Sequence, residues 1–254
     1  MGAISHEKSS DVSIRRFRPE DLEVVQRLYK ETRFYGAGSP TRIAISRALL
    51  SFTAYALYFS FFAGLCVILQ NPSGKWRYMG IAITVISGLL LASMIIPIGM
   101  FIFFGLRAYF KGDMKDVATF YRLRESQKDE AGASSFWVAE VETGVQGQKE
   151  VVGCVGLDYF SSEDKTEAEL KRMLVAPGFR GRGIAKKLME ALLDHAREHK
   201  LKEVYLQTTG LNDKAVIMYK KTGWYMAKRE VFRAGLMTGE GYIFRWKLDG
   251  QQNS

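Results

Sequence analysis

Two uncharged runs set the outer limits on this chain. Ala48–Asn71 and Tyr78–Leu106 hold no Asp, Glu, Lys or Arg, and both are rich in large apolar side chains. Each exceeds the roughly 20 residues that a helix needs to cross a hydrocarbon core. The link between them, NPSGKWR, offers Pro, Ser and Gly for a turn and Trp76 as an interfacial anchor. The pattern predicts a two-helix transmembrane hairpin, with Pro97 a place where the second helix could kink. The competing arrangement is a hairpin buried in a soluble core. Two runs this long and this free of charge argue against it.

The hairpin divides the chain. Residues 1–11 read as a disordered N-terminus, 12–44 as a first strand and helix, and 45–108 as the hairpin. Residues 109–248 read as the remainder of the folded domain and 249–254 as a tail. The opening MGAISHEKSS has no apolar core, so no signal peptide is expected, and His6 stands where a myristoylation start needs Ser or Thr. Arg33, Arg42 and Arg47 precede the hairpin, Arg107, Lys111 and Lys115 follow it, and the link holds only Lys75 and Arg77. Positive charge marks the cytosolic side, which predicts an integral membrane protein with both termini and the folded domain in the cytosol. The lipid bilayer is thus one expected partner. Gly80, Gly88 and Ala92 give the hairpin small residues through which a homo-oligomer could form.

Outside the hairpin the patterns are those of a soluble α/β domain. Val12–Phe17 alternates as a strand, and Arg18-Pro19-Glu20-Asp21 opens a helix whose apolar stripe is Leu22, Val25, Leu28 and Tyr29. Asp113–Arg124 is expected to be an amphipathic helix and Gln127–Ser134 a polar loop. Strands are expected over Ser135–Val141, Val151–Leu157, Leu170–Val175, Glu203–Thr208, Tyr225–Phe232 and Gly241–Leu248. A helix starting at Gly183 carries Ile184, Leu188, Ala191 and Leu192 on one face.

The joint between that helix and the preceding strand is Arg180-Gly181-Arg182-Gly183-Ile184-Ala185. Two glycines leave the backbone open at a helix N-terminus, where unpaired N–H groups and the helix dipole favour a phosphate. Arg180 and Arg182 add positive charge. The Walker pattern is absent, and the dinucleotide pattern fails because Lys186 occupies its third small-residue place. Arg/Gln-x-x-Gly-x-Gly/Ala is met by Arg180, Gly183 and Ala185. A plain strand–helix turn would look the same over so few residues. Further along stand Asn212, Ala215, Tyr219 and the pair Gly223-Trp224, spaced as Asn-x-x-Ala-x-x-x-Tyr-x-x-x-Gly-Trp.

These two signatures, in this order, resemble those of the GNAT N-acetyltransferase superfamily, with Trp224 in place of the usual Phe. The resemblance covers about Ile14 to Trp246. A hairpin inserted after the first helix makes it similar to the membrane-bound camello-like, N-acetyltransferase-8-like branch, as do FWVAE at 136–140 and VVGCVG at 151–156. The implied fold is the α/β (α+β) GNAT fold, a mixed, mostly antiparallel central sheet flanked by helices. The implied cosubstrate is acetyl-CoA, and the implied compartment is the endoplasmic reticulum. The implied reaction moves an acetyl group to a primary amine by direct attack: the α-amine of a cysteine S-conjugate, an amino acid such as aspartate, or a protein lysine. Vertebrate camello-like members carry His-x-Ser-Val on the strand before the loop, where this chain has Arg172-Met173-Leu174-Val175, so their substrates do not carry over directly.

Roles follow by resemblance. Leu174 and Val175 match the strand end whose backbone holds the pantetheine arm, Arg180 to Ala185 the pyrophosphate loop, and Asn212 a polar residue near the cofactor. Tyr219 matches the tyrosine that protonates the leaving thiolate. Its bland reading is a core ring packed with Met218 and Trp224. Glu169, eleven positions before Arg180, is the candidate base, set against a solvated strand end beside Glu167. Gln207 occupies the alternative base position and cannot take a proton. Arg172, Arg229 and Arg233 are candidates to pair a substrate carboxylate, each set against a plain surface charge. A protein of this fold that binds CoA or a partner without turnover is the alternative to an enzyme.

Composition narrows the rest. The formal charge is +9, which CoA phosphates and an anionic membrane face explain; no motif of a nucleic-acid-binding module appears. Cys66 and Cys154 lie in separate apolar settings and predict no disulfide. No metal is expected: His195 and His199 share a helix face without the zinc motif's glutamate directly after the first histidine, where Ala196 stands, and without its third ligand, and read as a solvated face.

Overall fold

A computed structural model describes residues 12–36, 38–123, 133–142, 148–234 and 237–248. The N-terminus 1–11, the tail 249–254 and residues 127–132 of the polar loop lie outside the described residues.

Strand β1 (Val12–Arg16) leads through a tight turn at Pro19–Asp21 into α1 (Leu22–Lys30). The Asp21 carboxylate fixes that entry: it accepts from the Arg18 backbone N–H at 2.7 Å and from the Arg15 fork at 2.7 and 2.8 Å. Val25, Leu28 and Tyr29 bury the expected stripe. A π-helical turn (Glu31–Tyr35) and α2 (Pro40–Leu49) follow, so a second helix precedes the hairpin where one was expected. The Ser39 side chain caps α2, accepting from the Arg42 N–H.

The apolar runs form α3 (Phe52–Gln70) and α4 (Lys75–Lys111). Helix α4 includes part of the expected link and is one helix through Pro97. At the rise of an α-helix, α3 is about 28 Å long and α4 about 55 Å. Both are long and apolar enough to cross a membrane. They pack against each other, and Gly64 meets Gly80 and Thr84 at the crossing. The last turns of α4 leave α3 behind and reach the folded domain: the Tyr29 hydroxyl donates to the Gly105 carbonyl at 3.0 Å.

Among the described residues of the stretch expected as one amphipathic helix, only α5 (Val117–Phe120) forms, because the Asp116 side chain caps it from one side and Arg122 ends it with φ +50°.

Among the described residues the sheet is seven-stranded, in the order β1-β2-β3-β4-β5-β7-β6. Its further strands are β2 (Ser135–Glu142), β3 (Lys149–Asp158), β4 (Glu167–Val175), β5 (Glu203–Thr209), β6 (Tyr225–Ala234) and β7 (Met237–Lys247). Every pairing is antiparallel except β4 with β5, and that parallel pairing runs only from Glu167↔Glu203 to Glu169↔Tyr205. Beyond it Leu170–Val175 and Leu206–Thr209 are unpaired with each other, so the sheet splays at its middle. Helices α6 (Ile184–Glu198) and α7 (Asp213–Lys221) join β4 to β5 and β5 to β6. One face of the sheet packs Ile184, Leu188, Leu192, Val204, Leu206, Tyr219, Trp224 and Phe244 into one core. The other packs α1, α5 and the end of α4 onto Phe136, Val138 and Cys154.

Candidate active site

The splay and the loop after β4 form the candidate site. From Val175 the chain passes a short turn (Pro177–Phe179) to Gly181 and Gly183, with φ +81° and +77°. In that left-handed region a side chain is disfavoured, and glycine is not. A Cβ at either would meet nothing within 4 Å, so the surface above both is open to a ligand. Gly183 is the N-cap of α6 and no side chain caps the helix; the first ladder bond there is Lys187 N–H to the Gly183 carbonyl at 3.1 Å. The first N–H groups of a 15-residue helix thus face open surface. Arg180 folds back, its Nε donating to the Val175 carbonyl at 3.1 Å, and the Arg182 guanidinium lies 5.2 Å from the Phe179 ring centre. Ile184 is buried and anchors the helix start; Ala185 beside it is half-buried. Because β4 and β5 are parallel, Leu174 and Val175 share an edge with the start of α7, where Asn212 is the N-cap. The fold therefore gathers Leu174, Val175, Arg180 to Ala185 and Asn212 at one edge of the sheet. An uncapped helix start with two open left-handed glycines, beside a split in the sheet, fits a pyrophosphate with a long thin arm.

Tyr219 is buried, with its ring 5.7 Å from Trp224 and 5.8 Å from Phe244, centre to centre. Burial alone pushes its phenol well above the usual tyrosine range. The group therefore stays protonated at neutral pH, as an ordinary tyrosine does, and holds its proton more tightly.

Glu169 stands at the last paired position before the splay, on the face away from α6. Its side chain is only 14% exposed, and its carboxylate lies 3.1 Å from Lys171 Nζ. Burial pushes the Glu169 carboxyl up, and Lys171 only partly offsets this. Lys171 also reaches Asp158 at 2.8 Å and Ser161 at 2.9 Å. Asp158, despite burial, is held below the usual carboxylate range by Lys171 and Ser161. One lysine therefore serves two carboxylates of opposite tendency. Lys171 and Asp158 were not singled out from sequence; the shared strand parity of Glu169 and Lys171 is the signal that could have found the first.

The three arginines do not come together. Arg172 is on β4, where both arms of its fork go to Asp113 at 2.6 and 2.7 Å. Burial lowers the pKa of its guanidinium, but Asp113 outweighs this and leaves it raised. Its fork is thus occupied from within the fold. Arg229 is paired with Glu240 at 2.5 Å, and Arg233 is exposed, both on β6 at the sheet's far edge. No sequence pattern links Asp113 to Arg172, which are 59 residues apart.

Two other residues need comment. Cys154 is fully buried and its thiol is pushed well up by burial, which leaves no thiolate to act as a nucleophile. His195 is not on a solvated face: it is 4% exposed, because α6 turns it against β2. Its Nε2 donates to the Ala133 carbonyl at 3.2 Å and its Nδ1 accepts from Arg16 at 3.1 Å. Burial first, then His199 and Arg16, lower its pKa to about 4. The ligand atoms of His195, Glu198 and His199 lie within 4.8 Å of one another, but the Arg16 guanidinium already takes the Nδ1 lone pair.

Residues 105–224 match the acetyltransferase (GNAT) family. The camello protein of Xenopus tropicalis, described as a probable N-acetyltransferase, is 27% identical over 224 residues, 87% of this chain and 90% of that protein. The N-acetyltransferase YjgM of Escherichia coli is 34% identical over 90 residues, 35% of this chain, and the match spans only half of that protein. Among solved structures, the yncA protein of Salmonella typhimurium, solved with its cofactor acetyl-CoA, shares the fold with a TM-score of 0.50 at 13% identity, over 95% of this chain and 96% of that one. Residues 105–224 thus carry the likeness to the GNAT acetyltransferase family, and a weaker likeness to N-acetyltransferases extends over most of the chain.

Proposed function

We propose that this protein is a membrane-anchored, acetyl-CoA-dependent N-acetyltransferase that acetylates a primary amine by direct attack. The observation that carries the donor site is the open helix start at Gly181 and Gly183 beside the β4–β5 split. The backbone from Gly181 to Ala185 holds the pyrophosphate, with Arg180 and Arg182 nearby, Leu174 and Val175 hold the pantetheine arm, and Asn212 lies beside it. The anchor is supported by α3 and α4, whose outward side chains Phe59, Leu69, Ile86 and Leu89 are 58–78% exposed, unlike a soluble core hairpin. The flanking arginines and lysines favour a cytosolic catalytic domain, and the camello-like likeness favours the endoplasmic reticulum.

Bound acetyl-CoA supplies a thioester carbonyl for the amine and a thiolate leaving group. The amine nitrogen forms the new bond to the carbonyl carbon as the carbon–sulfur bond breaks. Tyr219 donates its phenolic proton to the departing sulfur. Glu169, its affinity for a proton raised by burial, takes the proton that the amine loses, directly or through a water.

The test is thiol release by the full-length protein in detergent, with S-benzylcysteine, aspartate, a lysine peptide, a polyamine and an arylalkylamine as acceptors. One strong responder is expected, with turnover reduced about 100-fold in Tyr219→Phe. Silence across the panel with acetyl-CoA binding intact would favour a CoA-binding protein without turnover.

A further inference from the structure

Strand β4 carries a bulge immediately before the two residues placed against the pantetheine arm. Cys154 pairs with Leu174 and Gly156 with Lys171, so Val155 faces both Arg172 and Met173. The bulge rests on Arg172, whose φ is +56°. That is the left-handed region, which a long side chain disfavours.

The Arg172 side chain is bound by a residue from the far side of the hairpin. Asp113 lies just past the last residue of α4, Lys111, and its side chain is only 4% exposed. It takes Nε of Arg172 at 2.6 Å and Nη2 at 2.7 Å, a two-point fork that fixes direction as well as distance. The Tyr121 hydroxyl donates to the same carboxylate at 3.3 Å. The guanidinium lies 5.2 Å from the centre of the Tyr29 ring, and Tyr29 is itself bonded to Gly105 of α4. Arg172 is therefore fixed from two directions, both leading to the end of α4.

We propose that the Asp113–Arg172 ion pair is a positioning device for the acetyl donor: Asp113 holds Arg172 in its left-handed conformation, and so sets where Leu174 and Val175 present their backbone. This rests on the reading of Leu174 and Val175 as the donor-holding residues. Arg172 is in this account a positioning residue, touching neither donor nor acceptor. The other account is a buried tether that merely fastens α4 to the sheet.

The two differ in what a single Cβ does. Asp113→Ala with Arg172→Gly, and Asp113→Ala with Arg172→Ala, both remove the whole ion pair and leave no lone buried charge. Only glycine accepts φ +56° without strain. Acetyl-CoA affinity is measured on full-length protein in detergent, so no acceptor need be known. The glycine double variant is expected to bind within about threefold of the wild type, and the alanine double variant about tenfold more weakly. Equal affinity in the two doubles overturns the proposal, whatever their melting temperatures. Asp113→Asn, which keeps the shape and loses the charge, is expected to weaken acetyl-CoA binding, and an unchanged affinity there also counts against the device. Gly183→Glu is run alongside. Unchanged affinity in that variant would overturn the donor-loop reading itself, while the glycine-against-alanine comparison still decides what the ion pair does.

Discussion

Gly64 and Gly80 lie where α3 meets α4, and Gly181 and Gly183 lie where β4 gives way to α6. A Cβ at Gly64 would stand 2.5 Å from the Thr84 hydroxyl and 3.0 Å from the Gly80 carbonyl, and one at Gly80 would stand 2.9 Å from the Gly64 carbonyl. The loop glycines would meet nothing within 4 Å, yet their φ values are positive. The hairpin thus uses glycine to let two backbones approach. The loop uses it to bend a backbone around open space. Gly38 and Gly74 are also open and left-handed, so the loop reads as a candidate site only together with the uncapped start of α6 and the β4–β5 split beside it, while the crossing reads as packing.

The largest effect should come from breaking the loop side of this contrast. Gly183→Glu puts a side chain into the left-handed position and a carboxylate where the helix start favours a phosphate. Acetyl-CoA affinity should fall about 100-fold or more, by equilibrium dialysis in detergent, with little change in melting temperature. A large fall in melting temperature with affinity kept would show that the glycine serves packing after all.

The hairpin side should respond in the opposite sense. Gly80→Leu forces the Gly64 carbonyl and Ile68 to move, since both stand within about 3 Å of the new Cβ. It should destabilise the protein by about 2 kcal/mol, read as an earlier thermal transition in detergent, and leave acetyl-CoA affinity within a factor of two. A matching loss of donor affinity would mean that the hairpin and the site are one mechanical unit, which would join this contrast to the Asp113–Arg172 link at the end of α4.

The two regions are alike in how much the sequence disclosed. Both announce themselves locally: the hairpin by absence of charge, the loop by Arg180-Gly181-x-Gly183 and the Asn212–Tyr219–Trp224 spacing. What lies between them is not local. Arg172 reads as a spare cation until Asp113, 59 residues earlier, is brought beside it. His195 reads as a surface residue by helix spacing, because nothing in α6 tells that Arg16 and Ala133 will enclose it. Asp113–Arg124 has helical apolar spacing, but Asp116 offers its carboxylate to Thr119 as a cap, and local capping outweighs periodicity there. Helix α2 was missed because its buried face, Pro40, Thr41, Ala44 and Ala48, is made of small residues.

The smallest effect belongs to Glu169, and it sharpens the contrast from within the site. Burial raises its carboxyl above the ordinary value, with Lys171 opposing. As a base Glu169 must be ionised, so turnover with a fixed acceptor should rise with pH through its folded-state value and level off above it. Its contribution to stability runs the other way. A carboxyl raised by folding favours the folded state when protonated, and that contribution is present below its unfolded value and lost as pH climbs through the folded one. Glu169→Gln should therefore lower turnover about tenfold, remove the acidic limb of the pH–rate profile, and melt no earlier than the wild type at neutral pH. Lys171 keeps Asp158 as a partner in that variant, so no lone charge is left behind. An acidic limb that persists in Glu169→Gln would assign the proton to another group. An earlier melt with full turnover would make Glu169 a structural partner of Lys171 and nothing more.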